Sequence, residues 1–106
     1  MVVIGSNNAV VKIKVFSSLT CPHCANFHIN VVSEIKKNYV DSGKAQLIFI
    51  DFPLDKASFN ASKLLHCLDK KKQIIFLDTI YEGQSEWTVG SNINEINDNL
   101  IKFNYF

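Results

Sequence analysis

A cysteine pair separated by two residues, Cys21-Pro22-His23-Cys24, lies between an apolar β-branched run and a long stretch with helical periodicity. The run, residues 10–16, predicts a strand, and the stretch after the pair predicts a helix. Both sulfurs then belong to the first turn of that helix, where unpaired backbone N–H groups point outward and favour ionisation of the first thiol. The pattern therefore predicts a strand, a reactive cysteine pair and a helix, in that order.

His23 lies between the two cysteines. An imidazole there adds a hydrogen-bond donor or a full positive charge beside the Cys21 sulfur, and a helix N-terminus carries roughly half a positive charge. Both effects favour the thiolate over the thiol. The pair of Cys21 and Cys24 is therefore predicted to carry out thiol–disulfide exchange, with no bound cofactor.

Half of a structural zinc site is the alternative interpretation of a lone C-x-x-C pattern. Such a site normally needs a second ligand pair at matching spacing, and only Cys67, His28 and His66 remain as candidates. Attachment of c-type haem needs His directly after the second cysteine, where this chain has Ala25. Redox chemistry is favoured over both, and no metal is predicted.

Composition predicts one small packed domain, residues 1–106, because 47% of the residues are hydrophobic and only four are Gly and two Pro. A net charge of +1 without any arginine argues against a nucleic-acid partner. Apolar runs are too short for a membrane span, and the first five residues lack the features of a signal peptide. Three cysteines fit one reactive pair plus one buried thiol, Cys67.

The predicted elements are strands at residues 2–4, 10–16 and 46–50, and helices in most of the remaining chain. The run 46–50 is typical of a parallel strand buried on both faces. Helices are expected after Cys21, over residues 57–69, from about residue 73, and from a capping box formed by Asn92 and Glu95. The residues predicted to face the core are Phe27, Ile29, Val31, Val32, Ile35 and Tyr39; Phe59, Leu64, Leu65 and Leu68; Ile74, Phe76, Leu77, Ile80 and Tyr81; and Ile93, Ile96, Leu100 and Ile101.

Three further predictions concern single residues and a charged run. His28 is expected to be a helix residue that faces the interior, and Trp87 to pack in the core or beside a groove. Lysines 70–72 are interpreted as a solvated turn.

Three blocks of the chain carry a resemblance to a known family. They are residues 3–6 leading through Ser18-Leu19-Thr20-Cys21-Pro22-His23-Cys24 to Phe27-His28; Gly43-Lys44 to Asp51-Phe52-Pro53-Leu54; and the helical segment 61–67 followed by Gln84-Ser85-Glu86-Trp87. Together they resemble the DsbA-like branch of thioredoxin-fold thiol–disulfide oxidoreductases, in the same order along almost the whole chain. Pro-His between the cysteines is the dipeptide typical of the oxidising members.

The resemblance implies a fold and a set of roles. The fold is α/β, thioredoxin-like with a helical insertion, and incomplete, without the C-terminal strands and the cis-proline loop of the family. Cys21 is the nucleophile that forms a mixed disulfide with a substrate protein, Cys24 is the resolving thiol, and the Pro22-His23 dipeptide belongs to the catalytic motif, with His23 tuning the Cys21 thiolate. The implied function is donation of a disulfide to exported proteins in the periplasm or another extracytoplasmic space. The implied partners are protein thiols and a redox partner that reoxidises or reduces the pair.

Two positions depart from the family pattern. Six residues before Cys21, where the family usually has an acidic residue, this chain has Val15, and no proline follows Pro53. These departures favour the alternative hypothesis of a truncated or degenerate thioredoxin-like module that binds peptides or assists assembly with little activity.

Overall fold

A three-stranded sheet organises the protein in the computed structural model, which describes residues 1–103. β1 (Val2–Ile4), β2 (Val11–Ser17) and β3 (Ala45–Asp51) lie in the order β1-β3-β2. β3 pairs antiparallel with β1 and parallel with β2. The predicted strands are confirmed, and the apolar run is the central, parallel-paired strand.

β3 is the central strand, and most of its side chains are buried, whereas most side chains of the other two strands are exposed or half-exposed. Leu47 is fully buried and Phe49 is nearly so. The one polar side chain at the start of the strand, Gln46, donates to the Asn7 side chain at 2.8 Å, which satisfies its amide. The parallel register places Ser17 opposite Asp51, so the carboxyl ends of β2 and β3 lie at one edge of the sheet.

A long helical segment connects β2 to β3. It consists of α1 (Pro22–Phe27), a π-helical segment (His28–Val32), α2 (Ser33–Ile35) and a second π-helical segment (Lys36–Val40). Helical backbone angles continue across every junction. The predicted helix is confirmed, but its hydrogen bonding departs twice from the regular α pattern.

The buried face of this segment differs from the predicted one. Its fully buried residues are Ala25, His28, Val32 and Val40. The predicted core residues Phe27, Ile29, Val31 and Tyr39 are instead exposed, with 40% or more of their surface accessible. Apolar spacing alone rotated the predicted face, because it assumed a constant 3.6 residues per turn, whereas two stretches of this segment are π-helical.

Four helices follow β3 and complete the core. They are α3 (Lys56–Cys67), α4 (Lys70–Glu82), α5 (Gln84–Trp87) and α6 (Ile93–Phe103). The buried side chains of these helices include Ala61, Leu65, Phe76, Leu77, Ile80, Tyr81, Trp87 and Leu100. The predicted inner face of α4 and the core position of Trp87 are confirmed.

Side-chain caps explain where these helices begin. Asp55 accepts a hydrogen bond from the Ser58 N–H at 2.8 Å, and Asp69 accepts one from the Lys72 N–H at 3.0 Å. Asn92 accepts from the Glu95 N–H at 3.0 Å, as the capping-box pattern predicts. The cap at Asp69 makes lysines 70–72 the first turn of α4, so the prediction of a turn was wrong, whereas all three lysines are exposed as predicted.

Three residues expected in the interior lie at the surface. Phe59 and Ile101 are exposed by 50% and 63%, on the outer sides of α3 and α6. Cys67, the last residue of α3, is also exposed, so the prediction of a buried thiol was wrong. On α3 the interior positions are taken by small residues such as Ala61 and Ser62, which allow close packing.

Residues 1–103 contain no helix that is long and apolar enough to cross a membrane.

Candidate active site

Cys21 caps the N-terminus of α1. Its backbone is extended, with φ −78° and ψ 120°, and Pro22 follows as the first helical residue. Proline suits that position because its φ is already helical and its missing N–H has no intrahelical partner there. The Cys21 carbonyl accepts the first bond of the helix from the Ala25 N–H at 3.1 Å, which places the sulfur beside the free N–H groups of the first turn.

The two thiols have pKa values shifted in opposite directions. The backbone N–H of Cys24 has the largest effect on the pKa of Cys21 and lowers it. Burial opposes this effect, and the Cys24 thiol and the backbone N–H of His23 lower the pKa further. Burial raises the pKa of Cys24, and its hydrogen bond to Cys21 adds to the rise. The Cys21 side chain makes no cap hydrogen bond of standard geometry, so the N–H groups act on its sulfur mainly as aligned dipoles. Negative charge is therefore favoured on Cys21.

The side chain of His23 is exposed at the rim of a groove. Among residues 1–103 its imidazole has no hydrogen bond or ion pair, and its backbone N–H is the group that acts on the Cys21 sulfur. Pro22 is exposed as well. The four residues of the predicted motif therefore lie together at the start of α1. The lowered pKa of Cys21 comes mainly from backbone N–H groups and not from the His23 imidazole.

An apolar groove of about 350 Å³ runs beside the cysteines along the outer edge of β2. Val15 lines this groove together with Cys24, so β2 contributes an apolar side chain, and no carboxylate, to this part of the site. The groove is lined by Ile13, Lys14, Val15, Phe16, Ser17, His23, Cys24 and Phe27.

A hydrogen-bonded network that sequence reasoning missed fixes the loop before Cys21. Ser18 donates to the Ser58 hydroxyl at 2.8 Å, and the Leu19 N–H donates to the same oxygen at 3.1 Å. Thr20 donates to both carboxylate oxygens of Asp55 at 3.0 Å. These bonds hold the loop against the first turn of α3. The capping residue Asp55 is the only member of this network that a local sequence pattern could have indicated.

Gln84 holds the same loop from the opposite side. Its buried side-chain amide donates to the carbonyl of Leu19 at 2.9 Å and to that of Cys21 at 3.0 Å. No local pattern predicts these contacts, because the partners are more than sixty positions apart in the chain.

Tyr81 lies behind the cysteine pair. Its hydroxyl donates to the Ser17 hydroxyl at 2.9 Å. Burial raises the pKa of Tyr81 to about 12, and the nearby negative charges of Cys24, Asp51 and Cys21 contribute to the rise. The phenol is therefore neutral at physiological pH and serves as a fixed hydrogen-bond donor.

The remaining histidines take part in structural pairs. His28 is buried, and its Nε2 lies 2.7 Å from an Asp78 carboxylate oxygen, with the rings of Phe49 and Tyr81 packed beside it. This confirms the interior position predicted for His28. His66 pairs with Asp51 at the surface. Within residues 1–103, no group of three or more His, Cys, Asp and Glu side chains is arranged to hold a metal ion.

Comparison with known proteins identifies the class. A family model described as Thioredoxin matches residues 1–104. The chain therefore belongs to the thioredoxin family.

Individual relatives are DsbA-like. The chain is 31% identical over 103 residues to "Probable disulfide bond formation protein D" of Bacillus anthracis, a match that covers 93% of this chain and 48% of that protein. It is 30% identical over 95 residues to a Rickettsia bellii protein provisionally named a protein-disulfide oxidoreductase, covering 89% of this chain and 37% of the relative. The crystal structure of a variant of Wolbachia pipientis alpha-DsbA1 matches with a TM-score of 0.82 at 29% identity, covering 98% of this chain and 54% of that chain.

These matches confirm the α/β, thioredoxin-like fold and the resemblance to the DsbA-like branch. The chain spans less than half the length of the two curated relatives, 48% and 37%.

Proposed function

We propose that this protein is a thiol–disulfide oxidoreductase that donates a disulfide to protein thiols through Cys21-Pro22-His23-Cys24. The opposite pKa shifts of the two thiols at the start of one helix carry the proposal. An acidic first thiol is a good leaving group, so the mixed disulfide between Cys21 and a substrate readily gives up Cys21 as a thiolate when the substrate becomes oxidised.

The reaction is a two-electron exchange. A substrate thiolate attacks the Cys21 sulfur of the Cys21–Cys24 disulfide, which breaks that bond and leaves Cys24 as a thiolate that takes up a proton. A second substrate thiolate then attacks the substrate sulfur of the mixed disulfide and releases Cys21 as a thiolate. The substrate is oxidised to a disulfide, and the protein is left as the dithiol.

Stabilisation of the Cys21 thiolate drives this direction of transfer. Whatever favours that anion favours the reduced protein, so the disulfide form becomes a stronger oxidant. The N–H groups of His23 and Cys24 supply that stabilisation. Pro22 starts the helix that aligns them, and the His23 imidazole adds positive charge when it is protonated.

The high pKa of Cys24 defines its role in the reverse step. As the less acidic thiol, Cys24 is the better nucleophile once deprotonated. When the redox partner has formed a mixed disulfide with Cys21, the Cys24 thiolate attacks the Cys21 sulfur, restores the Cys21–Cys24 disulfide and releases the partner as a thiolate. Neither Val15 nor the other residues that line the groove offer a carboxylate to accept the proton of the Cys24 thiol, so this proton passes to solvent.

The partners follow from this chemistry. The substrates are thiols of exported proteins, and a separate redox partner restores the disulfide. We place the reaction outside the cytoplasm, in the periplasm or a similar space, because disulfides persist there. Residues 1–106 belong to the thioredoxin-like, DsbA-type domain that carries out this reaction.

The test is oxidation of a peptide with two cysteines by the chain after its treatment with oxidised glutathione. We expect peptide thiols to disappear and a peptide disulfide to form, with the loss of activity in Cys21→Ser. Cys24→Ser cannot form the Cys21–Cys24 disulfide, and treatment with oxidised glutathione should leave it with a mixed disulfide between Cys21 and glutathione. Cys67→Ser is the matched control, because this exposed cysteine lies outside the site, and it should retain full activity.

The second candidate is a peptide-binding module with little redox activity, favoured by the apolar groove and Val15. Binding of the reduced peptide without any thiol oxidation by the disulfide form would support that candidate and refute the oxidoreductase.

A further inference from the structure

Gln84 makes two hydrogen bonds that meet on the cysteine loop. The amide nitrogen of its side chain donates to the Leu19 carbonyl at 2.9 Å and to the Cys21 carbonyl at 3.0 Å. Only 7% of the residue is exposed, so both bonds lie where water does not replace them easily. A single amide group therefore bridges two carbonyls of the segment that carries the nucleophile.

α5 holds the Gln84 side chain in place. Trp87, one turn later, is fully buried and donates from its indole nitrogen to the Ile80 carbonyl at 2.9 Å. Thr88 donates from its hydroxyl to the Gln84 carbonyl at 2.6 Å. The Trp87 contact fixes α5, and with it the backbone of Gln84, relative to α4 without touching the cysteine loop.

The Cys21 carbonyl receives two donors. One is the Ala25 N–H of the first helical turn, at 3.1 Å, and the other is the Gln84 amide. Two donors on one carbonyl fix the orientation of the peptide plane between Cys21 and Pro22. That plane determines how the Cys21 sulfur faces the N–H groups of His23 and Cys24, because the backbone of Cys21 is extended rather than helical.

We propose that Gln84 is a positioning residue for the Cys21 thiolate. It holds the nucleophile in the conformation in which the first-turn N–H groups stabilise the anion, and it thereby sets the balance between dithiol and disulfide. The network of Ser18 and Ser58 fixes the start of the loop, whereas Gln84 fixes the nucleophile itself. This role deepens, and rests on, the proposed oxidoreductase function.

The experiment compares Gln84→Met, which keeps the length of the side chain and removes the donor, with Gln84→Glu, which replaces the donor by a carboxylate. Thr88→Val is the matched control, because the Gln84 carbonyl still accepts from the Thr88 N–H at 3.1 Å and both side-chain hydrogen bonds of Gln84 remain. Cys21 alkylation is followed against pH by mass spectrometry, and the dithiol–disulfide equilibrium is measured with glutathione. Circular dichroism of each variant establishes that it is folded.

We expect the midpoint of the Cys21 alkylation profile to move to higher pH in Gln84→Met and further in Gln84→Glu. The lost bonds should lower the equilibrium constant for reduction of the protein by glutathione about threefold to tenfold. Thr88→Val should retain the original midpoint and equilibrium constant. The added charge of Gln84→Glu raises the pKa of Cys21 by itself, so the neutral variant Gln84→Ala, which also removes the donor, provides the decisive measurement if Gln84→Met does not fold.

Midpoints in the folded Gln84 variants that equal the midpoint of Thr88→Val would overturn the positioning role. The alkylation profile does not depend on a protein substrate. A shifted profile in a protein that fails to oxidise the dithiol peptide would therefore refute the proposed function while leaving the role of Gln84 supported.

Discussion

The hydroxyl of Tyr81 donates a 2.9 Å hydrogen bond to the hydroxyl of Ser17 and so joins α4 to the end of β2 directly behind the cysteine pair. The tyrosine is only 2% exposed. The ionised phenolate is therefore disfavoured in the folded protein.

Tyr81 should make the protein less stable in strong alkali. Burial raises its pKa in the folded protein to about 12, above the ordinary value of 10.0, so this contribution to stability is complete below pH 10 and is lost as the pH rises towards 12. The loss corresponds to roughly 2 to 3 kcal/mol. Urea unfolding between pH 9 and pH 12 measures it, and Tyr81→Phe should lose this part of the pH dependence. Identical alkaline profiles for the two proteins would contradict the assignment.

Cys21 should be the first cysteine to react with an alkylating agent in mild acid. Its pKa is lowered by the N–H of Cys24, whereas burial raises the pKa of Cys24. Brief alkylation of the reduced protein near pH 5, mapped by mass spectrometry, should label Cys21 severalfold faster than Cys24 or the exposed Cys67. Faster labelling of either of the other two would show that the nucleophile is assigned wrongly.

Replacement of His23 by leucine should make the pair less oxidising. The substitution keeps the backbone N–H that acts on Cys21 but removes a side chain that is positive when protonated, so the equilibrium constant for reduction by glutathione should fall about twofold to tenfold. Asn26→Leu, at an exposed position of the same helix, is the control and should have no effect. An unchanged constant in His23→Leu would mean that the backbone alone sets the potential.

Two serines of α3 provide a matched pair for the loop network. Ser58→Ala removes the oxygen that accepts from Ser18 and from the Leu19 N–H, and we expect a loss of about 1–3 kcal/mol in the free energy of unfolding. The hydroxyl of Ser62 is equally buried, but it has no hydrogen-bond partner within residues 1–103. Ser62→Ala should therefore change stability by less than about 1 kcal/mol. Equal losses in urea unfolding would contradict a specific role for the network.

Local patterns were sufficient to predict the strands, the start of the first helix and the cap at Asn92. Each depends on neighbours within a few residues, and the parallel pairing of β3 followed from its continuous apolar run. The same reasoning placed Cys21 at a helix N-terminus, as the structure has it.

The supporting residues of the site were not predictable in this way. Gln84 contacts carbonyls 63 and 65 positions away, and Ser58 contacts a hydroxyl 40 positions away, so nothing near either residue signals its role. The interior position of His28 was predicted, but its pairing with Asp78, fifty positions later, was not. Such contacts depend on tertiary packing, which hydrophobic periodicity does not encode.

The π-helical segment that follows α1 keeps the cysteines and the later part of the helix in register. A π turn accommodates one residue more than the α pattern, while the helix on either side continues. Removal of one residue from His28–Val32 would therefore leave regular α-helix with Cys21 and Cys24 facing the same way, whereas removal of one residue from α1 would turn them by about 100° relative to the rest of the helix. The direction of the redox pair thus tolerates a change of length in the π turn and not in the α turn next to it.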